Sequence, residues 1–528
     1  RKTNGFGSSG GGGGGSVGEG FITRVARLNM NFGNSYNCLA MLVPEVTGGG
    51  EDDLCAMIRN VSAPTGTAPS VADTRAGTKF ECFHTRLDLA GKLMGYASLG
   101  RPRRTWRAGL RDFFQQSAVA GHMRPPHWVY TELDFDASSP PDYHSYSEPS
   151  LVDLNAYAGI DVETLCDNGE RGGGVVDHAA AAAATRLQRD FAASTQAAFE
   201  DVVVEVVADA LGKLRSPVDG IVLTGGGALN VLANQRISDA VLGTSGAREL
   251  RARELPADVC GSVSNGLDQG GGVCGDDGVG GEANTGVADD GGADARLAAA
   301  VATATARRVA GSGGGGEGGK LGVHVSAAPN DSGLSVGGAW LINPPLGPHQ
   351  QPLQYSGFAL WDRANLPAVA LERGAENLAA LQDGGVDRVA SLLVNGAVIG
   401  VARGRQEFGP RALGHRSLLA TPVPGMKSRM NRVKFREWWR PVAPIVAHEY
   451  LSEFCLKNGT WTNDARESAG SHATPSPYMS MAPRVSTEAA RLAPAIVHFD
   501  GTARLQTLAA EDDPWMHSLL LAVGNNKG

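Results

Sequence analysis

The most concentrated charge in this sequence is positive and lies in the last third of the chain. Ten basic residues fall between positions 403 and 440, where only Glu407 and Glu437 oppose them, in a chain whose net charge is −8. They are Arg403, Arg405, Arg411, Arg416, Lys427, Arg429, Arg432, Lys434, Arg436 and Arg440. Charge-assisted hydrogen bonds contribute ~1.5–3 kcal/mol each, so about three or four of these side chains could hold a doubly charged phosphate. A solvated charged face and a nucleic-acid patch are the alternative interpretations.

Aromatic residues among these cations favour the first interpretation. We expect the second half of the segment to be helical, which would place four cations within about 80° of arc and three aromatic residues on another arc of about 100°. The cations are Arg429, Arg432, Arg436 and Arg440, and the aromatic residues are Phe435, Trp438 and Trp439. Aromatic backing argues against a merely solvated face. The negative charge of the whole chain argues against a nucleic-acid surface.

A glycine run is a second candidate for binding a phosphate. A short apolar strand, Gly220–Thr224, is followed by Gly225, Gly226 and Gly227 and then by a helical pattern over Ala228–Leu242. A helix start after a glycine turn directs unpaired backbone N–H groups and a partial positive charge to one point. A plain tight turn explains three glycines equally well. The run is not a P-loop, because no Lys-Ser or Lys-Thr pair follows it.

A second strand, turn and helix are predicted over residues 323–340. Asp331 stands near the start of that helix, where an aspartate is more often an N-cap than a ligand of a metal or substrate. Two units of this kind in one domain favour a nucleotide cleft between them.

Alternating apolar and polar residues around Asp500-Gly501 predict two short strands joined by a hairpin turn over 496–508. His498, Thr502, Arg504 and Gln506 share one phase of that alternation. They could therefore present four polar groups on one face, although an ordinary half-exposed hairpin has the same pattern.

The elements that must position these residues are separated by glycine-rich stretches. A long helix is predicted over Val175–Leu214, and His178 is interpreted as one of its residues. Residues 1–20 are expected to form a flexible tail, and residues 261–319, mostly Gly, Ala and Asp, a disordered insertion. A first domain is expected over 21–345 and a second from Pro367 to the end.

Composition excludes several classes of protein. Gly makes up 72 of the 528 residues, and no apolar run is long enough for a transmembrane helix. The seven cysteines are scattered without a C-x-x-C pair, which predicts neither a zinc site nor a disulfide framework. A reducing compartment, the cytoplasm, is therefore expected.

Three blocks of the C-terminal half resemble the NodU/CmcH-type O-carbamoyltransferases. Residues 404–417 match that family's signature G-R-x-E-F-G-P-R-A-L-G-x-R-S, and residues 431–441 and 500–504 match two further blocks. Upstream, Gly91-Lys92-Leu93-Met94-Gly95, the turn at 225–230 and the motif at 330–335 fit the same family in the same order. The resemblance runs from about Phe21 to the C-terminus, apart from the glycine-rich insertion.

This resemblance implies an α/β (α+β) protein in which an actin-like, Kae1-like ATP-binding domain precedes a YrdC-like C-terminal domain. Carbamoyl phosphate and ATP would give carbamoyl adenylate, and the carbamoyl group would pass to a hydroxyl of a small-molecule acceptor. The residues expected to bind carbamoyl phosphate and stabilise the developing charge are Arg411, Lys434, Arg436, Arg440 and Arg504. The nucleotide would contact Gly225, Gly226, Gly227 and Asn230, and Asp331 would hold an iron-type divalent ion, with Mg²⁺ as a second choice. Neither a membrane nor a nucleic acid is expected as a partner.

One family motif is missing from this sequence. Members carry H-H-x-x-H-A ahead of the Gly-Lys-Leu-Met-Gly block, whereas His84 is the one histidine before Gly91. The N-terminal lobe is therefore expected to be incomplete. Two alternatives stay open: a remnant that binds anions without transfer, and a threonylcarbamoyl-type tRNA-modification protein built from the same two folds.

Overall fold

The computed structural model describes the chain in several stretches. They are residues 36–37, 39–48, 55, 88–116, 154, 158–171, 175–242, 292–311, 321–343, 353–359, 364–378, 381, 383–455 and 476–527. The predicted tail at 1–20 lies outside them, as do residues 261–291 and 312–319 of the predicted insertion.

The described residues form a mixture of helices and short strands. The helices are α1 (Pro44–Thr47), α2 (Leu89–Tyr96), α3 (Arg104–Gln116), α4 (Val162–Leu165), α5 (His178–Lys213), α6 (Val231–Leu242), α7 (Gly292–Gly311), α8 (Leu334–Ile342), α9 (Leu366–Glu372), α10 (Val386–Val394), α11 (Met426–Val433), α12 (Leu451–Phe454), α13 (Thr487–Leu492) and α14 (Pro514–Lys527). The strands are β1 (Glu170–Arg171), β2 (Val175–Val176), β3 (Gly220–Leu223), β4 (Gly322–Val325), β5 (Ile399–Ala402), β6 (Arg416–Leu419), β7 (Ile445–Ala447) and β8 (Gln506–Leu508). The predicted mixture of helix and sheet is confirmed.

Helix α5 is the central element of the N-terminal half. Asp177 caps it, since its Oδ1 accepts hydrogen bonds from the backbone N–H groups of Ala179 and Ala180 at 3.0 and 3.1 Å. Helices α2, α3, α6 and α7 pack along α5. On the α3 side, Phe199 and Phe114 are buried in one apolar cluster. The long helix predicted from the sequence is thus confirmed, and His178 is its first residue.

Four of these helices are joined by a buried ion network. Arg236 of α6 lies 2.6 Å from Asp201 of α5 and 2.8 Å from Asp294 of α7. Arg107 of α3 pairs with the same Asp201 at 2.7 Å. Each charge has an opposite partner, so the network holds the helix packing without leaving a buried charge unpaired.

Helix α7 lies inside the stretch predicted to be a disordered insertion, and that prediction is wrong for residues 292–311. Ala293, Leu297, Val301 and Ala304 are buried on one face of the helix against the α5–α6 core. Their spacing of three or four residues is that of an apolar helix face. The many glycine and aspartate residues around this segment made its short apolar period difficult to recognise in the sequence.

Strands β3 and β4 form a parallel pair in register from Gly220 with Gly322 to Leu223 with Val325. Both predicted strand–turn–helix units are confirmed here. Because the two strands run in the same direction, the loops that follow their carboxyl ends lie at the same edge of the pair. Residues 225–229 and 327–333 therefore face one another at this edge of the strand pair. A nucleotide site was predicted there.

The C-terminal half contains an antiparallel pair, β5–β6, and a parallel pair, β7–β8. Helices α10 and α14 pack together, burying Val389, Leu393, Met516 and Leu519. The predicted domain limits, 21–345 and 367–528, stay predictions.

The helix predicted to carry the four aligned arginines is shorter than expected. Helix α11 ends at Val433, and Phe435 has the positive backbone angle φ = 50°. A left-handed residue ends a right-handed helix and reverses the chain. Trp439 beyond the turn is buried, whereas Phe435 is fully exposed, so the aromatic residues do not form one backing face.

The hairpin predicted over 496–508 is only partly present. A turn closes where the His498 N–H donates to the Thr502 carbonyl at 2.8 Å. The chain beyond it does not pair with the chain before it. Instead, Thr502 bridges to Arg484, and β8 pairs with β7. The alternation was a correct sign of extended chain but did not specify the partner.

The expectation of no disulfide is also wrong for two of the seven cysteines. Cys55 and Cys166 are buried and form a disulfide with Cα atoms 4.9 Å apart. They are separated by 111 residues, so no short spacing motif could have indicated the pair. Cys455 is buried with a free thiol.

Among the helices of the described residues, none combines the length and apolar character needed to cross a membrane.

Candidate functional site

The turn after β3 is open on one side and bordered by the loop after β4 on the other. Gly225 has φ = 89°, a left-handed conformation that glycine adopts without strain. Its N–H donates to the Pro329 carbonyl at 2.6 Å, and the Thr224 hydroxyl donates to the same oxygen at 3.0 Å. A Cβ on Gly225, Gly226 or Gly227 would meet no atom within 4 Å. A ligand therefore has room to approach this backbone.

Asn230, predicted with these glycines as a nucleotide contact, is buried and hydrogen-bonded inside the fold. Its Oδ1 accepts from the Ala233 N–H at 3.1 Å, as a helix N-cap does, and from Gln196 Nε2 at 3.0 Å. Its Nδ2 donates to Gln196 Oε1 at 3.0 Å. A nucleotide contact by this side chain would require it to give up these bonds.

Asp331 is exposed at the same edge, in the short turn before α8. A transition-metal site needs about three protein ligands. Within the described stretches, no group of three or more His, Cys, Asp or Glu side chains comes together that could hold an ion. The described residues do not by themselves supply the ligand set of an iron-type site around Asp331. Its role as a metal ligand stays a prediction, and no step below runs through a metal.

The signature loop, residues 404–417, is folded around one carboxylate. Glu407 Oε1 accepts backbone N–H bonds from Leu413 and His415 at 2.8 Å and from Arg416 at 3.0 Å. Burial alone would raise the pKa of Glu407, but these backbone donors outweigh it and lower the pKa below its usual value. Glu407 therefore stays ionised and fixes the path of the loop.

The signature loop contacts both turns at the β3–β4 edge. A Cβ on Gly409 would lie 2.2 Å from the Ala327 carbonyl oxygen, so only glycine fits at this approach. Arg411 Nη2 donates to the Leu229 carbonyl at 3.1 Å, directly after the glycine turn. The C-terminal signature and the glycine turn are thus parts of one site.

The structure brings together all five side chains predicted to bind carbamoyl phosphate. They are Arg411, Lys434, Arg436, Arg440 and Arg504, called the cation cluster below. Arg504 is repelled by three of the others, Arg411, Arg436 and Arg440. Lys434 is repelled by Arg436, Arg440 and Arg504. Side chains from three separate segments, at 411, 434–440 and 504, are therefore close enough for their charges to interact.

Burial and mutual repulsion act on the cation cluster in the same direction. Burial is the larger cause and repulsion the smaller, and together they lower the pKa of Arg411, Lys434 and Arg504 below their usual values. They lower the pKa of Arg436 to about 10. Arginine keeps its proton at neutral pH, so the unfavourable energy stays in the fold until an anion offsets it.

Two donors of the cation cluster have no partner in the part of the chain that the structure describes. Arg436 Nε and Arg504 Nε are buried and make no hydrogen bond. An unsatisfied buried donor costs roughly 1–3 kcal/mol, and more when it is charged. A phosphate group bound by the cation cluster would supply the missing negative charge.

Other arginines of the same basic segment have partners within the fold. Arg403 pairs with Asp513, Arg405 donates to the Ser356 carbonyl, Arg416 to the carbonyls of Arg403, Gly404 and His415, and Arg429 to the Gly396 carbonyl. These side chains hold the segment in shape. Arg403 Nε is nevertheless buried without a hydrogen bond among the described residues, like Arg436 Nε and Arg504 Nε. Which of the arginines pair within the fold was not visible in the sequence.

Of the four polar residues predicted to share a hairpin face, only Arg504 joins the cation cluster. His498 Nδ1 lies 3.1 Å from the Thr502 hydroxyl, which donates to Asp500 Oδ1 at 2.7 Å. Burial lowers the pKa of His498 to about 4, so its ring is neutral at pH 7. Gln506 Nε2 donates to the Leu413 carbonyl at 3.1 Å and so supports the signature loop.

One contact of the site was missed in the sequence. Lys92 of α2 lies 2.7 Å from Glu437, which lies 3.6 Å from Arg440 of the cation cluster. The signal was present, since Lys92 belongs to the upstream Gly-Lys-Leu-Met-Gly block. Nothing in the sequence around Lys92 indicated that its partner would be a glutamate in the distant C-terminal segment.

Comparison with known proteins gives a family match in the C-terminal part of the chain. Residues 390–528 match the family described as carbamoyltransferase C-terminus. Nodulation protein NolO of Bradyrhizobium diazoefficiens is 38% identical over 200 residues, which are 36% of this chain and 34% of the relative. Nodulation protein U of Rhizobium tropici is 35% identical over 213 residues, covering 38% of this chain and 31% of the relative.

A relative with a chemically explicit name matches at a similar level. The 3'-hydroxymethylcephem-O-carbamoyltransferase of Amycolatopsis lactamdurans is 34% identical over 210 residues, covering 39% of this chain and 35% of the relative. The matched part thus spans about a third of the length of each of these relatives.

Proposed function

We propose, on the premise that this chain belongs to the NodU/CmcH-type O-carbamoyltransferase family, that it transfers a carbamoyl group to a hydroxyl of a small-molecule acceptor. The family prediction made from the motifs is confirmed by the match of residues 390–528 and by the nodulation and cephem relatives. The activity, the donor and the acceptor are our proposals.

The observation that supports this function best is the cation cluster itself. Five cations from three segments lie together, and two of their buried donors have no partner among the described residues. Such a site suits a small doubly charged anion that carries its own acceptors. Carbamoyl phosphate has this chemistry, because its phosphate is dianionic and its carbonyl oxygen is a further acceptor.

The chemistry would run in three steps. Carbamoyl phosphate would first react with water to give carbamate and inorganic phosphate. A carbamate oxygen would then attack the α-phosphate of ATP, which forms carbamoyl adenylate and releases pyrophosphate. Transfer of the carbamoyl group to the acceptor hydroxyl would release AMP. Arginine and lysine side chains fixed in place stabilise negative charge as it develops on transferring phosphoryl and acyl groups. Arg411 is suited to this step because it belongs to the cation cluster and also donates to the Leu229 carbonyl beside the glycine turn.

The ATP phosphates would lie at the open glycine turn, Gly225–Gly227, beside Arg411. We propose that the finer architecture follows the family, with an actin-like domain contributing this turn and a YrdC-like domain contributing the cation cluster. The close approach of Gly409 to Ala327 supports a shared site, because it joins the signature loop directly to the β3–β4 edge.

The test is carbamoyl-phosphate-dependent release of pyrophosphate from ATP. Arg411→Ala is expected to reduce this rate by about 10²–10³-fold, the range found when a preorganised donor to a developing charge is removed. Arg429→Ala is the matched control, since Arg429 lies in the same basic segment but donates to the Gly396 carbonyl. Its rate should stay within about twofold of the wild type.

Unchanged turnover in Arg411→Ala would refute its role. Wild-type protein that binds phosphate but releases no pyrophosphate would instead support the anion-binding remnant.

A further inference from the structure

Glu437 lies beside the cation cluster, and each of its two carboxylate oxygens faces a different cation. Oε1 lies 2.7 Å from Lys92 Nζ, and Oε2 lies 3.6 Å from Arg440 Nη1. The shorter contact is a charge-assisted hydrogen bond, and the longer one is an ion pair without close contact. Glu437 is therefore held mainly by Lys92.

Lys92 is placed for this contact by the packing of α2 against residues 437–441. Its side chain is only 9% exposed and also lies 3.3 Å from Asp88. Gly95, one turn later, brings α2 close to the chain, because a Cβ there would lie 3.3 Å from Pro441 and 3.4 Å from Trp439. The Tyr96 and Trp439 rings meet edge to face, with centroids 5.2 Å apart. The lysine is thus fixed within reach of Glu437.

We propose that Lys92 is a positioning residue for the anion site: by holding Glu437, it keeps Arg440 available to bind the phosphate group of the substrate. This inference rests on the proposed function, because it assigns Lys92 a task in the same site. Lys92 acts through Glu437 and Arg440 and need not touch the substrate.

Lys92 determines which cation the Glu437 carboxylate neutralises. With Lys92 present, the carboxylate has a closer partner than Arg440. Without Lys92, the nearest cation would be Arg440, and a direct Glu437–Arg440 pair would remove one of the five positive charges that face the anion. Glu437 would then compete with phosphate for the same guanidinium. In this way a residue of α2 sets the charge available in a site more than 300 positions later in the sequence.

The test measures binding of inorganic phosphate to the full chain by isothermal titration calorimetry. Lys92→Met keeps the length of the side chain and removes its charge, and it is expected to raise the phosphate Kd about tenfold, or ~1.4 kcal/mol. Glu437→Gln removes the competing carboxylate and should bind phosphate as tightly as the wild type or more tightly. The double variant should return to within about twofold of Glu437→Gln.

The double variant separates positioning from a merely structural role. If Lys92 only stabilised the packing of α2, removing the Glu437 charge would not restore phosphate binding. Arg432→Gln is the control for net charge, since it removes one exposed cation from the same segment, and its Kd should stay within about twofold of the wild type.

Two results would overturn the proposal: a Lys92→Met variant that binds phosphate like the wild type, or a double variant as weak as Lys92→Met alone. Should Lys92→Met fail to fold, Glu437→Gln decides by itself, because weaker binding than the wild type contradicts competition by Glu437. Wild-type protein that binds no phosphate would instead refute the proposed function.

Discussion

At the scale of single residues, the site is built from charges that oppose folding. Cations brought together away from water repel one another and lose solvation. Lys427, a lysine of the same basic segment outside the cation cluster, shows the cost of lost solvation without repulsion from neighbouring cations. Its Nζ lies 3.4 Å from the Val497 carbonyl and 4.4 Å from the centroid of the Phe499 ring. Burial lowers the pKa of Lys427 to about 8.

Replacing this lysine should make the protein more stable. Below pH 8, Lys427 is charged in both the folded and the unfolded chain, so the full unfavourable term is present. As the pH rises from 8 to the unfolded value of about 10.5, the folded chain loses the proton first and the term disappears. Lys427→Met is therefore expected to raise the free energy of unfolding by about 1–2 kcal/mol at pH 7, a figure reduced for partial exposure.

Urea denaturation at pH 7, 8, 9 and 10 checks this expectation, because the difference between wild type and variant should shrink as the pH rises. Lys213→Met is the matched control, since Lys213 is exposed at the end of α5 and should show no such trend. A variant less stable than the wild type at pH 7 would contradict the assignment.

The five residues of the cation cluster could be named from the sequence, although the reason for grouping four basic positions was wrong. A helical arc was expected to align Arg436 and Arg440 with Arg429 and Arg432. Instead the left-handed turn at Phe435 redirects Arg436 and Arg440 toward Arg504. The motif blocks identified which residues form the cation cluster. They did not contain the pairing of Glu437 with Lys92, which depends on packing between distant segments.

At the scale of elements, α7 shows how a short periodic segment can be hidden in a biased sequence. Glycine-rich chain on its N-terminal side lowers the average hydropathy of any wide window. Helix formation here depends on burying one face against α5 and α6, as most helices in proteins do. Leu297 is fully buried at the centre of that face.

Leu297→Ala should therefore destabilise the protein by about 2–5 kcal/mol, the usual effect of truncating a fully buried leucine. Thermal and urea denaturation would measure the change. Leu341→Ala in α8 is the matched control, because Leu341 is 80% exposed and the same truncation should alter stability by less than about 0.5 kcal/mol. An equal effect of the two substitutions would argue that α7 does not pack as described.

The strand–turn–helix units at β3 and β4 were predicted correctly because short apolar strands followed by glycine-containing turns leave local signals. Asp331 does not cap α8, whose N-cap position is Gly333. The β8 partner was not predicted correctly, because pairing between β7 and β8 joins positions about 60 residues apart. Local chemistry specifies the state of a segment but rarely its distant partner.

At the scale of the whole molecule, the Cys55–Cys166 disulfide closes a loop of more than a hundred residues in the N-terminal half. Closing a loop of this length restricts the unfolded chain, and native disulfides contribute about 2–5 kcal/mol. Reduction, or replacement of both cysteines by alanine, is expected to lower the free energy of unfolding by that amount.

The measurement is urea denaturation with and without a phosphine reductant, with alkylation and mass spectrometry to count thiols. The double alanine variant should be insensitive to the reductant, which makes it the internal control. Wild-type protein whose cysteines at 55 and 166 are both alkylated without reduction would contradict the disulfide.

The contact between Gly409 and the Ala327 carbonyl has a consequence for how this protein can be engineered. The stretch that matches a family by itself begins at residue 390, yet its signature loop is shaped to lie against a backbone oxygen more than sixty positions upstream of that start. A graft of the C-terminal portion onto a foreign scaffold would carry the signature loop without the backbone at Ala327 against which Gly409 packs. Chimeras of this chain with a relative must therefore take both the signature loop and the β3–β4 edge from one parent.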